Sequence, residues 1–435
     1  MGHVVKLYFK ILIMVILSVL AGFGILCAVY ALPAKGQVAI HAQESIQTFE
    51  KEGEPFSWGY NNITAVLDNF TDSVMVSKAI FPGTGNIIND ALQNPSYGHK
   101  GMSSTTSLIK VLHGEKEGEV IENYGRYWHG YLLYLKPLLF AFSVGEIRLL
   151  NAMVQLMIVF YLFDSIGRKF GGKYKWAFLL TYLSLNPISL ALSFQYSSMF
   201  YITALSGLWL VRTKKNLLEN SFYLYVFAAI GIGTAFFDFL TYPLVSYGIP
   251  MVLLLLIADK NHGMKAKWVS ISLVIHGGLS WALGYGGMYL GKWLLSWTFF
   301  GYGAFQEAVG QAMYRMSNYT VASELVNASP QSYSAIWVIA LNVFTMMQNP
   351  VCWLALLYVS MHFFKQYILR EKEAPLRVMG TFGMALLLIA ISPFVWYSVL
   401  SNHSCLHFWF THRELSISIF AMSCYFLKKW DGVNQ

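Results

Sequence analysis

Two carboxylates four residues apart, Asp68 and Asp72, stand in Leu67-Asp68-Asn69-Phe70-Thr71-Asp72-Ser73. On a helix reaching back to 68 they share one face. A carboxylate there takes a proton from an attacking hydroxyl, which makes both candidate catalytic residues. It also holds a divalent cation such as Mg or Mn through oxygen, and Asp72 is the candidate ligand. Asp72 follows Thr71 at a helix start, so helix capping competes with either role.

A second set lies far downstream, in the stretch from Ser401 to Arg413 with His403, His407, His412 and Arg413. Arg and protonated His make charge-assisted bonds to phosphate. The spacing of His403 and His407 also suits two zinc ligands on one helix face, but no intervening Glu completes a zinc-protease motif. Arg126 and His129 lie in Gly125-Arg126-Tyr127-Trp128-His129-Gly130, and Arg148 follows. Asp238 stands in Phe236-Phe237-Asp238-Phe239. An unpaired acid beside lipid costs a few kcal/mol, so Asp238 either shapes a polar cavity or caps the break before Pro243. For the basic and aromatic positions the alternative is anchoring at a membrane interface.

These residues need a scaffold, and composition says which kind. The chain has 435 residues, 56% hydrophobic and 12% charged, against about 25% charged in soluble domains. Runs of about 20 apolar residues are long enough to cross a bilayer core. A barrel would show short alternating segments instead. The fold class expected is an all-α polytopic membrane protein with about ten transmembrane helices. Residues 1–32 hold the first, and 33–145 form an extracytoplasmic loop with catalytic and interfacial helices. Residues 146–435 form the bundle, with outer loops at 291–345 and 401–413. The apolar run Ile11–Leu32 exceeds a signal-peptide core, although Ala28 and Ala31 leave a cleavage option.

Charge distribution supports this topology. Of the 30 Lys and Arg, 18 fall in the expected inner loops and termini, as the positive-inside rule requires. Both termini are therefore expected in the cytoplasm. The net charge of +8 serves topology, and no nucleic-acid partner is expected. The four cysteines, Cys27, Cys352, Cys405 and Cys424, fit no metal or redox motif; a Cys352–Cys405 disulfide is one option. No phosphate loop or dinucleotide fingerprint is present. Gly284-Tyr285-Gly286-Gly287 lies inside a span, where small residues mean close helix packing.

Within the long loop, 72–81 reads as a short helix stopped by Pro82-Gly83. Residues 94–120, rich in Ser, Thr, Gly and charge, read as a mobile connector. Residues 128–142, with Lys136 at the centre, read as a helix lying in the membrane interface.

The segment from Gly130 to Leu210 resembles the GT-C superfamily of polytopic glycosyltransferases. The similar types use polyprenyl- or dolichyl-phosphate sugars, as do protein O-mannosyltransferases and the lipid A aminoarabinose transferase. The resemblance runs from Tyr131-Leu132-Leu133 through Ser143-Val144-Gly145-Glu146-Ile147-Arg148-Leu149. It continues in the basic turn Gly167-Arg168-Lys169-Phe170-Gly171, in Leu185-Asn186-Pro187 and in Phe194-Gln195-Tyr196. Asp72 in Thr71-Asp72-Ser73 matches the family's loop acid. Two departures stand out. Ser73 replaces a common second acid, which weakens metal binding there, and Trp128-His129-Gly130-Tyr131 replaces Pro-Pro-x-Tyr.

The resemblance implies an inverting glycosyltransferase at the outer face of a cell membrane, in cell-wall or polysaccharide biosynthesis. It would move a monosaccharide from a polyprenyl-phosphate carrier to an extracytoplasmic glycan, lipid or protein acceptor. Asp72, with Asp68, would deprotonate the acceptor. Arg413, His403 and His407 would bind the lipid phosphate, with Arg126, His129, Arg148 and Asp238 shaping the substrate cavity. No cofactor is required beyond an optional divalent cation. A transporter or flippase of lipid-linked glycans and a catalytically inactive assembly partner remain open alternatives.

Overall fold

A computed structural model describes residues 2–59, 62–262, 269–321, 331–368 and 381–431. The chain is mostly helical, 78%, which agrees with the all-α expectation. It begins with α1 (Gly2–Ala31), then α2 (Gln37–Glu44), α3 (Ile46–Glu52), β1 (Phe56–Ser57) and β2 (Val66–Leu67). Next come α4 (Asn69–Ile80), α5 (Ile87–Gln93), β3 (Pro95–His99), α6 (Ser104–His113), β4 (Glu119–Asn123) and α7 (Leu132–Leu139). The bundle follows with α8 (Val144–Phe170), α9 (Gly172–Ser184), α10 (Pro187–Leu192), α11 (Phe194–Arg212), α12 (Tyr223–Phe237), α13 (Val245–His262) and α14 (Val269–Phe300). Then come α15 (Tyr302–Arg315), β5 (Tyr319–Thr320), β6 (Gln331–Ser332), α16 (Ala335–Met347), α17 (Pro350–Ile368) and α18 (Thr381–Val399). Last are α19 (Ser401–Leu406), α20 (Phe408–Thr411), a 3-10 turn (His412–Leu415) and α21 (Ser416–Asp431).

Among the described residues, four helices are long and apolar enough to cross a membrane. They are Val5–Ala31, Val144–Phe170, Glu219–Phe237 and Thr381–Val399; the pair α16–α17, bent by 91°, makes a fifth if counted as one span. This is a coarser result than ten spans. On α8 the exposed side chains Leu149, Met153, Leu156, Met157 and Phe160 recur at helical spacing, the stripe a helix turns toward lipid. At the centre, every residue from Thr241 to Ala258 is buried. From Ile249 to Ala258 that segment is apolar on all sides, as a helix ringed by other helices must be. Glycine sets the closest helix crossing. A Cβ on Gly231 would lie 2.1 Å from the Trp281 carbonyl oxygen, and one on Gly284 would lie 2.2 Å from that of Ala228. The close packing expected around Gly284 is present.

Several local expectations change. Residues 94–120 are built, with β3 and β4 paired antiparallel in the register Pro95↔Asn123 to His99↔Glu119, and α6 between them. The Ser and Gly that suggested mobility do capping work: Ser103 Oγ accepts from the Thr106 amide, and Gly114 ends α6 in the left-handed region. The interfacial helix of 128–142 contracts to α7, whose Leu132, Leu135, Lys136 and Leu139 are buried. Lys136 lies 5.8 Å from the Tyr30 ring, so it packs under α1 and does not reach for headgroups. Helix α9 does not run on into α10: the chain breaks at Asn186, whose φ of 62° starts α10 afresh. Helix α14 runs unbroken to Phe300. All four cysteines are free, so Cys352 and Cys405 form no disulfide.

Candidate functional site

Asp68 and Asp72 do not share a role. Asp68 is the N-cap of α4, and its Oδ1 accepts from the Thr71 amide at 3.0 Å. The capping expected of Asp72 thus belongs to Asp68. Asp72, wholly buried, serves the N-terminus of another helix. Its carboxylate accepts from Ser193 Oγ at 3.2 Å, Phe194 N at 3.1 Å and Gln195 N at 3.2 Å. Those amides open α11 and would otherwise be orphaned, and the positive end of the helix dipole favours an anion there.

Arg148 closes the other side of Asp72. Its Nη2 lies 3.5 Å from Asp72 Oδ2 and donates to Asn69 Oδ1 at 3.2 Å. Its Nη1 donates to both Glu52 oxygens at 2.8 and 2.9 Å. Arg148 is placed by the first turn of α8, where Ser143 and Glu146 form a reciprocal capping box. The network Glu52–Arg148–Asp72 therefore joins α3, α4, α8 and α11. Both Asp72 oxygens face donors and a guanidinium, a set that fits an anion's needs and leaves no coordination shell for a cation. Among the described residues, no three His, Cys, Asp or Glu side chains gather to hold a metal.

Burial pushes the Asp72 carboxyl up to about 6 against the pull of Arg148 and the amides. Asp68 is pushed further, to about 7, by burial and by the neighbouring charge of Asp72, while its donors among the described residues belong to Thr71. Asp68 is thus the carboxyl of the two that is poised to exchange a proton near neutral pH. Exposed Glu54 adds its charge on the same side.

The distant 401–413 segment packs against this loop. Arg413 is fully buried and donates to three carbonyls: Leu185 through Nε at 3.0 Å, Trp409 through Nη1 at 3.0 Å and Thr64 through Nη2 at 3.3 Å. Its guanidinium carbon sits 4.2 Å from the Tyr196 ring centre. Asn186 Nδ2 donates to the same Thr64 carbonyl at 2.9 Å. Arg413 therefore ties the first loop, the α9–α10 break and the last loop together, and it makes no ion pair among the described residues. Its N–H groups are turned to backbone carbonyls in a closed site.

His403 and His407 are neighbours, with ring centres 4.8 Å apart. His403 Nε2 bonds the Leu240 carbonyl, and the Nδ1 atoms of both rings are buried without a partner. Burial holds both below the usual histidine range, His407 at about 3, with Arg315 pushing the same way. They are neutral imidazoles, so the phosphate-binding pair of protonated histidines is not what the geometry provides. Asp238 caps its own turn, accepting from Thr241 N at 3.0 Å and from Thr241 Oγ1. Its carboxyl is pushed up to about 7, by burial first. The break before Pro243 is thus capped, as one of the two readings held, and no ion pair braces Asp238 among the described residues.

Arg126 and His129 lie on a loop pinned by main-chain bonds. Tyr124 N donates to the Gln93 carbonyl at 2.8 Å, Trp293 Nε1 to the Arg126 carbonyl at 3.0 Å and Gly130 N to the Phe236 carbonyl at 2.8 Å. A Cβ on Gly130 would lie 2.5 Å from that Phe236 oxygen, so only glycine fits. His129 has φ of 54°, Nε2 at 2.7 Å from the Tyr124 carbonyl and Nδ1 at 3.1 Å from Tyr131 Oη. Both its nitrogens are used, and its ring sits 4.7 Å from Phe239. Arg126 Nη1 pairs with Glu307 on α15 at 2.9 Å, and its guanidinium carbon lies 4.4 Å from the Tyr124 ring.

Three charged groups escaped sequence reasoning. Lys78, buried on α4, donates to the Asn94 carbonyl and to Ser96 Oγ at 3.3 Å, and burial pushes it down to about 7. Lys292, buried on α14, donates to the Tyr127 carbonyl and lies 5.3 Å from the Trp128 ring. Glu414 is buried, with Oε1 accepting from Leu244 N at 3.1 Å and Oε2 without a partner. Only Glu414 carried a usable signal: an acid between Arg413 and the apolar start of α21. No protein-family model matches the chain, and no curated protein or solved structure matches it.

Proposed function

We propose that the chain is an inverting glycosyltransferase working at the outer face of a cell membrane. It transfers a monosaccharide from a polyprenyl-phosphate carrier to an extracytoplasmic glycan, lipid or protein acceptor. In this reading ten spans cross the bilayer and both termini are cytoplasmic. The observation that carries it is Asp68. It is a buried carboxyl near pH 7, at the end of the bundle where the first loop meets the last. Asp68 accepts the acceptor's hydroxyl proton as that oxygen bonds the anomeric carbon. The anomeric carbon–phosphate oxygen bond breaks, and polyprenyl phosphate leaves. Asp72 and Arg148 position the loop. A transport pathway is disfavoured by the complete burial of the central segment 241–258. The inactive-partner reading draws on one observation, the saturation of Asp72 by donors.

The test uses the purified chain in lipid nanodiscs, radiolabelled polyprenyl-phosphate hexoses and a cell-wall glycan acceptor. Transfer should rise with pH through about 7, and Asp68→Asn should lower it by about 100-fold or more without loss of folding. Full activity in Asp68→Asn would remove Asp68 from the reaction. No transfer by the wild-type chain from any carrier would favour the partner reading.

A further inference from the structure

A cavity of about 360 Å³ lies between the Gly125–Arg126 loop and the α14–α15 corner, away from Asp68 in sequence and in contacts. Its size falls in the range of small-molecule sites, about 300–1,000 Å³. One wall is apolar and partly aromatic, with Trp293, Phe300 and Ala304. The facing polar groups are Gln93, Asn123, Arg126, Ser296 and Glu307. Glu307 and Asn123 are exposed at the rim, while Ser296 is 7% exposed.

The bonding state of these groups is informative. The side chains of Gln93, Asn123 and Ser296 have no hydrogen-bond partner among the described residues, although all three line the cavity. Arg126 and Glu307 pair with each other at 2.9 Å, which cancels the formal charge of the lining. What remains is a balanced set of donors and acceptors: two amides, one hydroxyl, a guanidinium and a carboxylate. An anion would meet Glu307, and a cation would meet Arg126. A neutral polyhydroxyl ligand can use both, since each hydroxyl donates and accepts. The aromatic wall suits the apolar C–H face of a pyranose ring.

The wall is also held in advance of any ligand. Trp293 is fixed by its bond to the Arg126 carbonyl. Gly125 is seated so closely on α5 that a Cβ there would lie 2.8 Å from the Leu92 carbonyl oxygen. A preformed site loses less on binding than one that must be ordered.

We infer that this cavity is a binding site for a neutral pyranose unit, with Trp293 as its platform and Gln93, Asn123 and Ser296 as its hydroxyl readers. The inference does not rest on the transfer reaction proposed above, because it concerns binding alone.

Saturation-transfer NMR on the full chain in nanodiscs, with methyl glycosides of glucose, galactose, mannose and N-acetylglucosamine as probes, tests it. At least one glycoside should show saturable binding with its ring protons closest to the protein. The double variant Gln93→Ala/Asn123→Ala should weaken that binding by about tenfold or more. Trp293→Phe should weaken it while Arg126 and Glu307 remain. Absence of saturable binding by all four glycosides overturns the inference. So does equal affinity in the double variant, and so does binding of glycerophosphoethanolamine in place of any glycoside, which would mark a charged headgroup site. Transfer activity enters none of these readouts, so a failed reaction and a failed site are separable.

Discussion

Two buried carboxyl sites at the same end of the bundle are built on opposite terms. Around Asp72, donors arrive from the start of α11, and the Arg148 guanidinium of α8 stands opposite. Around Asp238 and Glu414, help is sparser: Asp238 is served by Thr241 of its own turn, and Glu414 has one donor, Leu244 N, with its second oxygen unpartnered among the described residues. Burial alone does not assign a role to an acid. Donors from other elements make Asp72 a joint between segments of the chain. With donors from its own turn alone, Asp238 is pushed up to about 7, further than Asp72 at about 6.

The largest expected effect breaks the first site. Arg148→Met strands Asp72 and Glu52 in a buried setting, and removing one partner of such a network costs roughly 3–5 kcal/mol. Thermal unfolding in detergent should show an early transition, partly recovered when Asp72→Asn and Glu52→Gln are added. An unchanged midpoint in Arg148→Met would erase the distinction between the two sites. Second in size is pH dependence at the other site. Asp238 has a folded-state pKa of about 7 against 3.8 for the free group. The folded state then binds the proton more tightly. Its contribution is complete below about pH 4 and is lost as pH rises through 7. The ceiling is of the order of 4 kcal/mol. Unfolding midpoints at about pH 5 and about pH 8 should differ, and Asp238→Asn should narrow the gap.

Smaller again is Asp72→Asn with Arg148 intact. Arg148 keeps Glu52, so the expected loss is about 1–3 kcal/mol from weakened bonds to the α11 amides, read as faster hydrogen exchange at Phe194 and Gln195. Least of all is Glu307→Gln. Its pair with Arg126 is solvent-facing, with Glu307 52% exposed, and such pairs contribute about 0.2–1 kcal/mol. A midpoint shift beyond that range would place this pair with the buried sites.

The sequence was most readable where one helix carries its own signals. The helix at 72–81 appears as α4 because apolar spacing, a cap and Pro82-Gly83 all lie within reach of each other. The apolar spans appear as helices for the same reason. The joint at Asp72 was not readable, because Arg148 and the α11 amides are separated from it by most of the loop and two further helices. Nor was the neutral state of His403 and His407, since desolvation depends on what packs against a residue. Composition misled at 94–120, where the capping roles of Ser103 and Gly114 look like flexibility when read without their partners. Lys78 and Lys292 look like surface charges for the same reason.

The Asp72 joint also imposes an order on synthesis. The amides it caps lie 122 residues further along. At about 5–20 residues per second, the carboxylate waits roughly 6–25 seconds for them. The Thr64 carbonyl waits longer, because Arg413 follows 349 residues later. The first loop therefore leaves the ribosome unlatched, closes one fastening when α11 arrives, and closes the other only once Arg413 has been made. A nascent chain halted between those two points would carry the Arg148 brace but lack the Arg413 staple.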